Sequence, residues 1–299
     1  MISTLDLGFR NLPKAAGAFL LKCSDGHALI ECGPSACWTN LASELHRHES
    51  SPEQIKHLFL THIHLDHAGA AGLLAEQGTH VHVHPRGAAH LIDPSRLNAS
   101  ARRVFGTALD EDFGTMTACP EELVFSIESG SSVRFGDVNF TALETTGHAS
   151  HHHCWVAEEA NGRHLFSGDA GGMRLPGTRF PTLPMVPPEF DLQRWRASIE
   201  IIRAADADSL WMTHFDEITQ HHSFLDTVDQ SLLEETQLIC SLPETELHES
   251  IETYRAWHLQ RATESDVSPE LLKAYCDQTH YQANITGVRR WRDKGGSLP

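Results

Sequence analysis

The feature that most constrains this chain is a six-residue string with four ligand-type side chains: His62, His64, Asp66 and His67. The string follows an apolar segment at 57–60 that is typical of a buried strand, and a helix-like segment rich in alanine and glycine comes after it. Four such side chains at the end of a buried strand cost free energy unless a cation binds them. Residues two apart in an extended chain point to the same side, so His62 and His64 can face one ion. Asp66 and His67 lie beyond the turn and can reach a second ion.

Three more candidate ligands occur further along the chain: His148, Asp169 and His214. Each follows a segment that is predicted to be a strand, and side chains at strand ends are held rigidly. Taken alone, each has an ordinary structural explanation, as a capping aspartate or a half-exposed loop histidine. With 22 histidines in the chain, the first string could likewise be a histidine-rich surface turn. The joint occurrence of all seven residues in this order favours a metal centre.

The periodicity of apolar residues predicts a mixed α+β fold. Strand and helix patterns alternate in the first part of the chain, strands dominate from 123 to 166, and Asp191 is typical of a helix N-cap. Strand patterns stop after about residue 220, and helices are predicted near 224–242, 246–263, 268–279 and 281–293. We therefore predict a catalytic domain at 1–219 and a C-terminal helical extension at 220–299.

The composition limits the classes of partner and the compartment. The formal net charge of −17, with histidine neutral, repels phosphate backbones and anionic lipid surfaces, so we expect neither a nucleic-acid nor a membrane partner. The seven cysteines are odd in number and form no CxxC pair, which favours a reducing cytoplasm. The N-terminal segment lacks the pattern of a signal peptide, and we find no apolar run of roughly 20 residues.

The ordered set of motifs resembles the metallo-β-lactamase superfamily over about residues 15–216. The motifs of that family are matched, in order, by Glu31-Cys32-Gly33, the string from His62 to His67, His148, Asp169 and His214. Glutamate stands at position 31, where aspartate is commoner in the family. The resemblance implies an αββα sandwich with the site at one edge, followed here by the helical extension.

The resemblance also implies how the candidate ligands are shared between two divalent metal ions. His62, His64 and His148 would bind one ion, whereas the second would be bound by Asp66, His67 and His214. Asp169 would bridge the two ions. Zinc is the metal expected first, and a ligand set without thiolate suits iron and manganese as well.

Four histidine and glutamate side chains near these motifs are expected to have supporting roles. Glu31 is expected to hydrogen-bond to ligands without binding metal, and His152 to support the site in the same way. His151 and His153 are expected to be structural.

The expected chemistry is hydrolysis of an ester, thioester or lactone of a small molecule by a metal-bridging hydroxide. Asp66 is the candidate catalytic residue, which would carry a proton to the leaving group. One alternative keeps the fold and places a single ferrous ion on His62, His148 and Asp169, as in persulfide dioxygenases. Another alternative is a non-enzymatic metal-dependent binding or sensor protein.

Two regions outside the motifs leave alternatives open. The loop 170–190 carries Arg174 and Arg179 among apolar residues, and it could be a mobile lid for an anionic substrate or an ordered proline-rich connector. The C-terminal helices could complete the substrate pocket or form a homodimer contact.

Overall fold

Two six-stranded sheets pack face to face in the computed structural model, which describes residues 2–244 and 247–299. The strands of the first sheet, in spatial order, are β1 (Ile2–Asp6), β2 (Gly17–Cys23), β3 (Gly26–Ile30), β4 (Ile55–Phe59), β5 (His80–Val83) and β6 (Val124–Ser126). The second sheet has the spatial order β14-β13-β10-β9-β8-β7. These strands are β7 (Ser132–Phe135), β8 (Val138–Glu144), β9 (His153–Glu159), β10 (Gly162–Phe166), β13 (Ser209–Met212) and β14 (Asp216–Ile218). A small separate pair consists of β11 (Met173–Arg174) and β12 (Pro181–Thr182).

Helices cover the outer face of each sheet. The helices on the first sheet are α1 (Trp38–Arg47), α2 (Leu65–Ala68), α3 (Ala71–Ala75), α4 (Pro85–Ile92) and α5 (Ser95–Phe105). The helices on the side of the second sheet are α6 (Leu192–Ala204), α7 (His221–Ser241), α8 (Leu247–Glu264), α9 (Pro269–Tyr275) and α10 (Gln278–Asp293). Among the described helices, none is both long enough and apolar enough to cross a bilayer.

The alternation of side chains along β9 shows how this layering arises. Trp155 belongs to the apolar core between the two sheets, whereas its neighbours Cys154 and Val156 belong to the core under the helices. Between the sheets, the rings of Phe59 and Phe140 stack with their centroids 4.1 Å apart. A sheet that is apolar on both faces must be covered on both, so the predicted αββα sandwich with C-terminal helices is confirmed.

The element boundaries agree with the predicted pattern in most places. The C-terminal helices match the predicted segments to within a few residues, except that the predicted start of one helix, at Glu246, lies outside the described residues. Four strands lie outside the predicted pattern. No clear turn bounds β1, β14 has only three residues, and β11 and β12 have two residues each within the predicted loop 170–190. The boundary at residue 220 stays a prediction, since one apolar core joins α6 to the helices that follow.

The loop 170–190 packs against the core as an ordered connector. Its buried apolar side chains are Leu175, Phe180, Leu183, Met185 and Phe190. The Arg174 guanidinium donates a hydrogen bond of 2.7 Å to a main-chain carbonyl, and the Arg179 guanidinium donates one of 2.9 Å to another. Both carbonyls belong to residues within 215–220. Of the two interpretations of this loop, the structure therefore supports the connector.

A buried carboxyl group lies among the C-terminal helices. Glu235 in α7 accepts a hydrogen bond from the Tyr254 hydroxyl, which in turn accepts one from Asn284 Nδ2 at 3.1 Å. Burial raises the pKa of Glu235 to about 8, and the hydrogen bond from Tyr254 opposes this rise only partly. The folded protein therefore keeps a proton on this carboxyl group over a pH range in which the unfolded chain has lost it.

We predict that Glu235→Gln removes one source of pH dependence from the stability. Between pH 5 and pH 8 the native state binds the additional proton, so this group lowers the free energy of unfolding as pH rises, by at most about 1.4 kcal/mol per pH unit. Urea unfolding at several pH values should show the variant gaining stability relative to wild type as pH increases. The exposed Glu249→Gln serves as the control. Parallel pH curves for wild type and Glu235→Gln would contradict the prediction.

Candidate metal centre

Loops at the ends of strands from both sheets deliver the candidate ligands to one place. The strands β10 and β13 are parallel, and the pairing of Phe166 with Trp211 places the loops that carry Asp169 and His214 side by side. The loop after β4 joins them because Thr61 accepts a main-chain hydrogen bond of 2.9 Å from His153, at the start of β9.

The first group of ligand atoms consists of three imidazoles and one carboxylate. His64 Nδ1 lies 3.0 Å from His62 Nε2 and 2.9 Å from His148 Nε2. His148 Nε2 in turn lies 3.3 Å from Asp169 Oδ2. All four ligand atoms lie within 4.8 Å of one another, so a single ion could contact all of them.

The second group lies on the other side of Asp169. His67 Nε2 is 3.3 Å from His214 Nε2, and His214 Nε2 is 3.6 Å from Asp66 Oδ2. Asp169 Oδ1 faces this group at 3.2 Å from His67 Nε2, whereas Oδ2 faces the first group. The structure thus brings together all seven side chains that were predicted as ligands, with Asp169 between the two groups.

Hydrogen bonds on the outer ring nitrogens orient two of the imidazoles. His148 Nδ1 donates to the Pro184 carbonyl at 2.8 Å, and His214 Nδ1 donates to the Ala15 carbonyl. A carbonyl oxygen only accepts, so Nδ1 carries the proton in both rings. In the neutral imidazole, Nε2 then presents a lone pair to the site.

Glu31 orients two further imidazoles from a fully buried position. Its Oε1 accepts from His67 Nδ1 at 3.1 Å and also from the Thr61 hydroxyl. Since the only hydroxyl proton of Thr61 goes to Glu31, the hydroxyl oxygen of Thr61 accepts from His62 Nδ1 at 3.0 Å. Glutamate at the position where aspartate is commoner therefore makes the expected supporting hydrogen bonds.

Burial and charge divide the imidazoles into two classes. Burial, together with nearby imidazoles, lowers the pKa of His62 well below its ordinary value, and the same two effects hold the pKa of His64 at about 4. Burial also lowers the pKa of His148, although the Asp169 carboxylate opposes the effect. These three rings are therefore neutral near pH 7, which is the form that binds metal.

The carboxylates reverse this balance in the second group. Burial acts to lower the pKa of His67, but the charges of Asp169, Glu31 and Asp66 outweigh it and raise the pKa well above its ordinary value. The pKa of His214 is also raised, although burial acts to lower it. The hydrogen bond to Asp66 is the largest of the effects that raise it. Burial alone would raise the pKa of Asp66, yet these imidazoles hold it at about 2.

The residues fit a pair of divalent cations. Asp169 Oδ1 is buried and has no donor in hydrogen-bond geometry within the described part of the chain. At least two imidazole lone pairs converge on each side of the Asp169 carboxylate. This arrangement is repulsive unless a cation or a proton lies between the lone pairs. The donor set of five imidazoles and two carboxylates suits zinc, iron or manganese.

The other histidines nearby make structural contacts. His152 Nδ1 lies 2.9 Å from the Thr145 hydroxyl, and its ring packs 4.9 Å from that of His62, as expected for a supporting residue. His153 Nε2 donates to a main-chain carbonyl at 2.9 Å, and His151 Nε2 lies 3.5 Å from Glu189.

Sequence reasoning missed three contributors to the orientation of the ligands. Thr61 carries a detectable signal, since it directly precedes the first ligand. The carbonyls of Ala15 and Pro184 carry none, because any residue type supplies a carbonyl oxygen.

Comparison with known proteins identifies the family. The model of the metallo-beta-lactamase superfamily matches residues 17–214, which include all the residues of both groups. The chain belongs to the metallo-β-lactamase superfamily. A relative, the metallo-beta-lactamase fold-containing protein ST1585 of Sulfurisphaera tokodaii, is 28% identical over 138 residues, or 45% of this chain. The match spans about half, 51%, of the length of that curated relative.

Solved structures of superfamily members share the fold. The structure of ST1585 from Sulfolobus tokodaii superimposes with a TM-score of 0.66 at 18% identity, covering 96% of this chain and 98% of that chain. The metallo-beta-lactamase family protein TTHA1429 from Thermus thermophilus gives a TM-score of 0.71 at 16% identity, covering 100% and 96%. The fold of this chain, the C-terminal helices included, is therefore shared with these two structures.

We predict that Glu31→Gln weakens metal binding by about 10- to 100-fold, the usual effect of losing a hydrogen bond behind a ligand. The neutral amide cannot accept strongly from both His67 and Thr61, so the His67 ring loses its fixed orientation. Competition with a chromophoric chelator would measure the zinc affinity. The exposed Glu76→Gln should bind zinc as wild type does. Equal affinity in wild type and Glu31→Gln would show that Glu31 does not orient a ligand.

Proposed function

We propose that this protein is a binuclear metallo-hydrolase that cleaves an ester, thioester or lactone of a small molecule. The observation that carries the proposal is the position of Asp169, whose two carboxylate oxygens face two separate groups of ligand atoms. A single-ion site needs one such group. The presence of both groups favours the binuclear centre over the mononuclear iron alternative and over a binding protein without activity.

His62, His64 and His148 would hold one ion, Asp66, His67 and His214 the other, and Asp169 would bridge them. When bound, two divalent ions lower the pKa of water and stabilise negative charge that develops on a carbonyl oxygen, and zinc is the metal we propose first. The residues of the chain fix the positions of both charges before substrate arrives. This preorganisation is the main contribution of the fold to the chemistry.

Burial indicates where a substrate approaches. His62 and His67 are fully buried, whereas His64 and Asp66 are only half-buried. The open side of the centre therefore lies next to these two residues. The acidic net charge of −17 favours a small molecule over a nucleic acid as the substrate.

Asp66 is the residue best placed to move a proton. It lies on the open side, and an aspartate carboxylate is ionised at neutral pH. An ionised carboxylate beside the attacked carbonyl can accept a proton and pass it to the leaving group. Asp66 would thus serve both as a ligand and as the proton carrier.

The first test is an assay of zinc-loaded wild-type protein with a panel of esters, thioesters and lactones. We expect hydrolysis of at least one class, loss of activity with a chelator, and recovery when zinc is restored. A metal-loaded protein that hydrolyses no member of the panel would contradict the proposal. One bound iron ion together with oxygen consumption on a persulfide would support the mononuclear alternative instead.

We predict that Asp66→Asn lowers kcat by about 10²- to 10⁴-fold on the substrate that wild type hydrolyses, because an amide cannot accept the proton. The assay should be run at saturating zinc, with the metal content of each sample measured, to separate this effect from weaker metal binding. The exposed Asp25→Asn is the matched control and should keep the wild-type kcat. An unchanged kcat in Asp66→Asn would exclude Asp66 as the proton carrier.

A further inference from the structure

A second cluster of ligand-type side chains lies among the C-terminal helices. It consists of His258 in α8, Cys276 directly after α9, and His280 in the first turn of α10. One ring nitrogen of each histidine and the cysteine sulfur all lie within 4.8 Å of one another. None of the seven candidate ligands of the first metal centre belongs to this cluster.

The burial of this cluster leaves one nitrogen atom without a partner. His258 is 1% exposed, Cys276 is 2% exposed, and His280 is half-buried. His258 Nδ1 lies 3.3 Å from the Tyr281 hydroxyl, but the buried Nε2 has no hydrogen-bond partner among the residues that the structure describes. A buried ring nitrogen of this kind costs free energy unless something binds it.

Ring packing alone does not account for the arrangement. The His258 ring lies 5.3 Å from that of Phe180 and 6.2 Å from that of His280, as in an ordinary aromatic core. An aromatic side chain such as phenylalanine would fill the same space without burying a polar nitrogen. The presence of a thiol and a second imidazole next to that nitrogen points to a bound ligand.

We propose that His258, Cys276 and His280 form a second metal site, which binds one divalent transition-metal ion such as zinc. Two imidazoles and one thiolate are a ligand set that selects borderline-soft ions over magnesium or calcium. As the sulfur–metal bond forms, the Cys276 thiol releases its proton to solvent, and the histidines bind as neutral rings. The half-buried side of His280 provides the path by which the ion enters.

Local structure holds the ligands near the positions that such an ion needs. Asp277 caps α10 by accepting from His280 N–H at 3.0 Å, and Cys276 N–H donates to the Leu272 carbonyl at 2.8 Å. A tetrahedral zinc ion separates its ligand atoms by roughly 3.5 Å. Because no two ligand atoms of the cluster are more than 4.8 Å apart, a contraction of at most about 1.3 Å converts the cluster into a ligated site.

This site would join parts of the chain that are distant in sequence. It would tie α8 to the junction of α9 and α10, and Asp277 of that junction pairs with Arg10 near the N-terminus at 2.5 Å. His258 also packs on Phe180, which belongs to the loop after Asp169. The ion would thus fix the C-terminal helices against the core that supports the catalytic centre.

Cobalt(II) distinguishes the two sites in the full-length protein. The centre around Asp169 contains no thiolate ligand, so only the second site can give a thiolate-to-cobalt charge-transfer band in the near ultraviolet. We expect wild type to show this band at saturating cobalt, in addition to the visible d–d bands of the other centre. Cys276→Ser should lose the charge-transfer band and bind one cobalt ion fewer per chain.

Two further variants complete the test. Cys240→Ser removes a half-buried thiol outside the cluster and should keep the band. His258→Gln should bind one cobalt ion fewer, while its d–d bands report whether the rest of the molecule is folded. Absence of a charge-transfer band in cobalt-saturated wild type would overturn the proposal, whether or not the variants fold. A band that persists in Cys276→Ser would overturn it too.

Discussion

The placement of the Asp169 carboxylate between two groups of imidazoles is the interaction on which the rest of this structure depends. The carboxylate is almost fully buried, and one of its oxygens lies 3.3 Å from His148 Nε2 while the other lies 3.2 Å from His67 Nε2. Burying a charge in this way is costly unless opposite charge surrounds it. The apolar sandwich, the strand ends and the supporting hydrogen bonds together keep compensating groups at these distances.

The backbone around Asp169 is adapted to this close packing. Gly168 has a φ of +48°, and a Cβ atom there would lie 2.4 Å from the Thr61 hydroxyl and 2.7 Å from His152 Nε2. Thr61 also bridges Glu31 and His62, so any displacement of this hydroxyl would disturb two of the orienting hydrogen bonds. The glycine before Asp169 is therefore required by the packing of the site as well as by its own conformation.

The convergence of the seven candidate ligands could be predicted from sequence because metal chemistry restricts the residue types, and the string from His62 to His67 follows a recognisable buried strand. The mixed α+β class was predictable from the order of strand and helix patterns, and the αββα layering from the resemblance to the family; the continuous apolar run in β9 agrees with a strand that is covered on both faces. Sequence did not reveal the carbonyls that orient His148 and His214, since their identity depends on tertiary contacts and not on residue type. It also left open whether the loop 170–190 is mobile, because the burial of its apolar residues is a property of the folded chain.

We propose that two ions lie side by side, one on each side of Asp169. The most direct measurement is an anomalous difference map from a crystal of the zinc-loaded protein, recorded at the zinc absorption edge. We predict two neighbouring peaks, one among His62, His64 and His148 and one among Asp66, His67 and His214. A single peak within either group, or no peak near Asp169 in protein that binds zinc elsewhere, would contradict the account.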